Sequence, residues 1–341
     1  MRTLMLALCL GLGSATAVQA AGNFAAGVAA YESKDFAAAM AHWLPLAKSG
    51  FAAAQHNVAV MYDHGQGVAA NDALAVSWYE RAANGGHAPS QHSLGLLYSR
   101  GQDVGKSMPK ALAWFRKAAT QGHSESQFVL GVLFDFGKGV KKNDIEAVKW
   151  YRLAAEQGDP RAQYNLALMY DFGQGGLDNP RQAVRWYRRA AQLGNPKAQY
   201  MLGVAYLQGD GVSRDNIASY AWMTLAAGAG HVRAKQYRAH PWKGMSASER
   251  KQGRKLEVAL KRKIRLRRSI STETPGRIAL PTVALIKNTQ RVLAQRGLLS
   301  GPADGVLGPQ TRAAIMALQE ALGARKTGAP SVELLLLAEL D

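Results

Sequence analysis

Cysteine and acidic residues are scarce: the 341-residue chain holds one Cys, Cys9, and 24 Asp and Glu against 42 Lys and Arg. A lone cysteine excludes an intrachain disulfide and a thiolate metal set. Beyond the N-terminal segment there is no run of about 18 apolar residues, so no membrane-spanning helix is expected. Sequence signatures of chemistry are missing as well. There is no Gly-x-Ser-x-Gly elbow, no His-Glu-x-x-His helix and no phosphate-binding Gly-Lys-Ser/Thr loop of the Gly-x-x-x-x-Gly-Lys type. The acidic residues show no paired carboxylates suited to glycosidic cleavage. Of the eight His, His87, His123 and His231 share one register with Asp159 and Asn195, which suits an interhelix turn better than a metal ligand. His87 and His92 are spaced for neither a helix face nor a common zinc pattern. No catalytic residue, metal or cofactor is therefore expected, and the chain reads as a non-enzyme.

The first twenty residues carry Arg2, an apolar run from Leu4 to Leu12 and a small-residue exit at Val18-Gln19-Ala20. This predicts a secretory signal peptide cleaved after Ala20, hence an exported, periplasmic protein. Cys9 would leave with it. The formal charge of +18 is uneven, since residues 231–281 hold 15 Lys and Arg against 3 Glu. The basic patch is Lys261, Arg262, Lys263, Arg265, Arg267 and Arg268. Export argues against nucleic acid. Residues 243–268 are then expected to meet an anionic envelope polymer or lipid surface, or to form a solvated cap. A helix from Ser246 to Arg268 would put Leu256, Ala259, Leu260 and Ile264 on one face, able to dock on the preceding helices.

What the chain has in abundance is a repeat. Trp78, Trp114, Trp150, Trp186 and Trp222 stand 36 residues apart without insertion or deletion. That periodicity predicts stacked copies of one supersecondary unit, here 51–86, 87–122, 123–158, 159–194 and 195–230. Position five is always Gln (Gln55, Gln91, Gln127, Gln163, Gln199), position nine is small, and position twelve is Tyr or Phe. Positions five, eight, nine and twelve share one helix face. Gly65, Gly101, Gly137, Gly173 and Gly209 are placed to end that helix. Asn71, Asp72, Asn143, Asp144 and Asn216 are candidate caps of a second helix, which carries the Trp and an Ala-Ala pair. The pattern resembles the Sel-one-like repeat family, a relative of the tetratricopeptide repeat. The resemblance implies an all-α solenoid serving as a protein–protein scaffold. The second copy departs at Asp103 and Pro109, and the fourth at Gly176. Residues 21–50 (Phe24, Tyr31, Phe36, Trp43) read as an N-terminal capping pair, and 231–268 as basic capping helices.

Residues 269–281, rich in Ser, Thr, Pro and Gly, read as a linker. The segment 282–341 then combines Gln290, Leu293 and Gly297 with Asp304-Gly305-x-x-Gly308-x-x-Thr311-Arg312-x-Ala314, Gln319 and Thr327-Gly328. This resembles the small three-helix peptidoglycan-binding domain. The implied binding residues are Asp304, Gly305, Gly308, Gln310, Thr311, Arg312 and Gln319. Glycines in the turn, Asp304 accepting its amides and Thr311 capping the next helix give most of these residues a structural role too. The combined expectation is an exported scaffold. It binds peptidoglycan through its C-terminal domain and an unidentified protein partner, for example a wall-remodelling enzyme, through its repeats. The alternatives are an envelope or host-interaction protein retained at the wall, and a cryptic peptidoglycan hydrolase.

Overall fold

The computed structural model describes residues 20, 22–101, 104–271, 290–291, 293–300 and 309–321. The expected signal peptide (Ala20 excepted), most of the expected linker, Asp103 and the turn bearing Asp304, Gly305 and Gly308 lie outside the described residues. Regular structure is helical, with no strand among the described residues, so the all-α expectation holds. The chain divides into two compact blocks, residues 1–183 and 184–341, each taken by itself.

The first block opens with α1 (22–32) and α2 (Phe36–Lys48). Trp43 on α2 is buried, its indole N–H donating to the Phe24 carbonyl at 3.1 Å, with the Tyr31 and Phe24 rings tilted against it. Helix pairs then follow at the repeat period: α3 (Ala52–His64) with α4 (Asp72–Asn84), α5 (Ala88–Arg100) with α6 (Met108–Thr120), and α7 (Ser124–Phe136) with α8 (Asp144–Glu156). Next come α9 (Pro160–Asp171), a 3-10 turn at Gln174–Gly176, and α10 (Pro180–Gln192), in which the first block ends.

The repeated residues explain the repeated helices. Asn71, Ser107, Asn143 and Asn179 each accept a backbone N–H three residues on, capping the second helix of their copies. Asp72 and Asp144 are therefore first-turn residues, where a carboxylate favours the helix dipole, and not the caps themselves. Position one is the cap of the first helix: Asp159 accepts from the amides of Arg161 and Ala162, and His123 from that of Ser126. His123, Asp159 and Asn195 are interchangeable there because each offers an acceptor at the same reach, whereas His87 makes no side-chain cap bond and meets Ser90 Oγ instead. The first helix ends as expected: Gly65, Gly101 and Gly137 adopt the left-handed conformation at its C-terminus. In the fourth copy the extra Gly176 lets the loop wind into the 3-10 turn.

Each helix pair closes on a residue beside the Trp. Tyr79, Phe115 and Tyr151, each directly after its tryptophan, are 3%, 1% and 0% exposed, whereas Trp114 keeps part of its surface in solvent. The facing position nine must be small. A Cβ on Gly95 would stand 2.5 Å from the Phe115 ring, and one on Gly131 would overlap the Tyr151 ring. The Ala-Ala pairs 82–83, 118–119 and 154–155 are buried. Across each joint the position-five glutamine donates to the carbonyl of the penultimate residue of the preceding helix, an alanine in every case. The bonds run Gln55 to Ala47, Gln91 to Ala83, Gln127 to Ala119 and Gln163 to Ala155, at 3.0–3.1 Å.

In the second block α11 (Pro196–Gln208) pairs with α12 (Asn216–Gly228), and Gln199 repeats the bond, to Ala191. Asp215, not Asn216, caps α12. In this last copy Ser219 replaces the inner-stripe alanine and donates to the Gly203 carbonyl at 2.8 Å. Against α12 pack α13 (Val232–Tyr237), α14 (Ala239–Lys243) and α15 (Ala247–Ser271). Helix α16 (290–291 and 293–295) and α17 (Pro309–Ala321) carry a separate small core of Leu293, Ala314, Ile315 and Leu318.

Candidate functional site

The small core of α16 and α17 is held by a polar contact as well as by apolar packing. Gln290, 3% exposed, donates from Nε2 to Thr311 Oγ1 at 3.4 Å, and Thr311 is itself 5% exposed. Helix α17 begins at Pro309, so Thr311 lies in its first turn and its hydroxyl faces α16. Gly297, with positive φ, ends α16 and lets Leu298 N–H return to the Leu293 carbonyl. Gln310, one residue before Thr311, is exposed. Arg312 and Gln319 lie on α17, whereas Asp304, Gly305 and Gly308 fall outside the described residues. Of the residues implied as peptidoglycan contacts, Gln310 thus presents its side chain to solvent and Thr311 turns inward.

The basic helix α15 starts with a reciprocal cap. Glu249 accepts from the Ser246 amide at 2.7 Å, while Ser246 Oγ accepts from the Glu249 amide. That pairing satisfies two helix-end donors and holds the Glu249 carboxyl below its ordinary range. The docked face of α15 comprises Gly253, Leu256, Leu260 and Ile264. A Cβ on Gly253 would stand 2.9 Å from the Tyr220 ring, so this helix approaches α12 more closely than leucines alone would allow. Ala259, expected on the docked face, is exposed instead. It falls about 140° around the helix from Ile264, since each residue turns 100°. The helix also continues to Ser271, three residues beyond its expected end at Arg268.

Within the basic patch the structure separates two groups. Lys261, Arg262, Lys263 and Arg265 are exposed and enter no ion pair among the described residues. Arg267 is half-buried and donates to Gln192 Oε1 at 2.9 Å, tying the end of α15 to α10. Arg268 lies on the same helix. Sequence reasoning missed the other anchor of α15. Trp242 on α14 packs at a tilt against Tyr220, ring centroids 4.7 Å apart, and carries the guanidinium groups of Arg250 and Arg254 about its ring at 5.2 and 5.3 Å. The spacing of Trp242, Arg250 and Arg254 is not periodic, so nothing in the repeat frame announced it.

No group of three or more His, Asp, Glu or Cys is arranged to hold a metal ion among the described residues, and none of their helices is long and apolar enough to cross a membrane. The arrangement offers surfaces for attachment. The Sel1 repeat model matches residues 52–87, 88–123, 124–159, 160–195 and 196–231. The model described as "Putative peptidoglycan binding domain" matches residues 282–335. Among solved structures, a Sel1 repeat protein from Oxalobacter formigenes is 32% identical, the alignment covering 76% of this chain and 99% of that one, with a TM-score of 0.59. A second is c5321, a protective antigen present in uropathogenic Escherichia coli strains displaying an SLR fold. It is 27% identical over 72% of this chain and 61% of that one, with a TM-score of 0.48. No curated protein matches the chain. The matched families are repeat and binding types.

Proposed function

The chain belongs to the Sel1 repeat family, and from that membership we propose that it is an exported, non-catalytic scaffold held at the cell wall. Its C-terminal module binds peptidoglycan, with Gln310 and Arg312 as contacts and the turn at Asp304, Gly305 and Gly308 shaping the site. Its repeats hold a protein partner, for example a wall-remodelling enzyme, and so localise that partner. The observation that carries this reading is the pairing, on one chain, of five Sel1 repeats with a peptidoglycan-binding match at 282–335. Two sites on one chain raise the effective concentration of whatever the repeats hold near a polymer that offers many copies of one ligand. Even a weak module then suffices for retention. The exposed Lys261, Arg262, Lys263 and Arg265 of α15 support a second, electrostatic contact with an anionic envelope polymer or lipid surface.

The test is co-sedimentation with purified sacculi of residues 21–341 beside 21–281, over a salt series. Retention of the longer chain at moderate salt, with loss of the shorter, supports the wall anchor. Equal pelleting of both would remove the C-terminal module from the mechanism. Soluble muropeptides released by the protein alone would overturn the non-catalytic reading.

A further inference from the structure

The repeats share a frame but not a surface. Position fourteen, at the end of the first helix, reads His64, Arg100, Phe136, Phe172 and Gln208. Only the third and fourth copies place an aromatic there, and both rings stand in solvent, Phe136 63% and Phe172 68% exposed. An isolated exposed Phe means little, but two in the same register of adjacent repeats are a patterned apolar surface. Each directly precedes a glycine loop, and between those loops lies a groove of about 840 Å³. Its walls include Val140, Lys141, Lys142 and Ile145 on one side and Gly175 on the other, with Arg116 contributed by α6. A Cβ on Gly175 would stand 2.9 Å from Val148 and 3.0 Å from the Asp144 carbonyl oxygen, so the second wall lies close to the start of α8.

The groove combines cations with apolar surface. Ile145 is 70% exposed. Lys142 Nζ lies 3.3 Å from Asp144 Oδ1, so the one lining carboxylate and that lysine offset each other. Arg116 stands over the buried Phe134 ring at 5.8 Å, and neither Arg116 nor Lys141 enters an ion pair among the described residues. Two positive charges without an ion pair among the described residues therefore line the groove with half-buried Val140 and exposed Ile145. The two exposed phenylalanines stand at the starts of the loops that bound it. A phosphate polymer would use the charges and leave the apolar surface wet. A second copy of this chain, formally +18, would bring like charge to a positive groove.

We infer that the groove between the third and fourth repeats docks an extended acidic segment of a protein partner, with aliphatic or aromatic side chains set between its carboxylates. The inference rests on the scaffold reading above and says where on the repeats the partner is held. Carboxylates of the segment meet Arg116 and Lys141, and its apolar side chains cover Ile145, Phe136 and Phe172. Buried aromatics with flanking charge are the usual energetic centre of such contacts.

A random peptide library displayed on phage and selected on residues 21–341 tests it directly. The expected result is enrichment of peptides with Asp or Glu flanking Leu, Ile or Phe. A selected peptide, followed by fluorescence anisotropy, should bind at least about tenfold more weakly to Lys141→Glu and to Phe136→Ser combined with Phe172→Ser. Both variants alter exposed side chains, so their thermal unfolding should match the parent. Selected peptides without an acidic–apolar pattern, or no selected peptides, would overturn the inference. So would binding kept within about twofold by the variants, or by a peptide whose apolar residues are changed to Ser. Sacculus pelleting of the variants should be unchanged. Loss of pelleting by the parent chain would count against the wall-scaffold reading while leaving the peptide result standing.

Discussion

Gln91 and Gln127 show how much one side chain does in this fold. Each donates across a joint to an alanine carbonyl, and each accepts from a second glutamine thirty residues on, Gln121 at 2.7 Å and Gln157 at 2.6 Å. The last copy lacks the second partner: Ala229 holds the matching place, and Gln199 Oε1 is buried without a hydrogen bond. Ala229 and Gln121 share helix-cap dihedrals, near φ −86°, ψ 9° and φ −83°, ψ 4°. Ala229→Gln should therefore complete the bond and stabilise the protein by about 1 kcal/mol, read as a higher urea midpoint. A lowered midpoint would mean that the amide does not reach. The opposite effect is expected at Gly131, where an added methyl must displace the fully buried Tyr151 ring. Gly131→Ala should cost about 1–3 kcal/mol by the same measurement. The glutamine register was plain in the sequence, as was the small position nine. Its partner is less plain, because it stands beside an invariant and larger tryptophan. Yet Trp78-Tyr79, Trp114-Phe115, Trp150-Tyr151, Trp186-Tyr187 and Trp222-Met223 recur in phase, so the signal was present.

The first helices of the early repeats share a polar joint that the later ones lack. His56 and His87 both meet Ser90 Oγ at 2.9 Å through Nδ1, and His92 and His123 meet Ser126 Oγ at 2.8 and 3.0 Å. The paired rings lie 5.0 and 4.9 Å apart, and both serines are fully buried. Burial lowers His56 to about 3 and His87 and His92 to about 4, and it lowers His123 as well. The neighbouring histidines add to the shift at His56, whereas Glu125 opposes it at His123. These groups are neutral in the folded chain where the unfolded chain, near its ordinary 6.5, already binds protons. Stability is thus complete above about pH 6.5 and falls as the pH drops toward about 4, by at most roughly 1.4 kcal/mol per unit of difference at His56 and His92 and by less at His87 and His123, which solvent partly screens. The urea midpoint should decline between pH 7 and pH 4.5, and His56→Asn should flatten the decline. An unchanged midpoint across that range would refute the neutral buried pairs. Only position one of this joint was read from the sequence, as a turn, and it is the cap. His56 and His92 at position six and the serines at position four needed the helices in place. On α15 the same limit applied: a helical wheel supplies Ile264 and Leu260, but the close approach at Gly253 and the Trp242 anchor depend on neighbours distant in sequence.

At the scale of the whole chain the question is which attachment dominates. The exposed cations of α15 act through water, so their attraction weakens as salt rises and is largely screened beyond about 8 Å at physiological ionic strength. A module that reads sugar and peptide groups by hydrogen bonds and packing loses much less. If both contribute, the response to salt separates them without any need to know the ligand. Reversing Lys261, Arg262 and Arg265 to Glu should lower the fraction pelleted with sacculi at low salt and leave it unchanged at about 0.15 M, where the module carries retention. Arg267 is kept out of that variant because it is bonded to Gln192, and its loss would loosen α15 itself. If the triple reversal leaves low-salt pelleting untouched, α15 is a solvated end to the repeats, and its role is docking Ile264 and Leu260 on the preceding helices. If it abolishes pelleting at every salt, the charges and not the module hold the chain to the wall. The peptidoglycan match at 282–335 would then mark a site for another ligand, and the partner on the repeats would be localised by electrostatics alone.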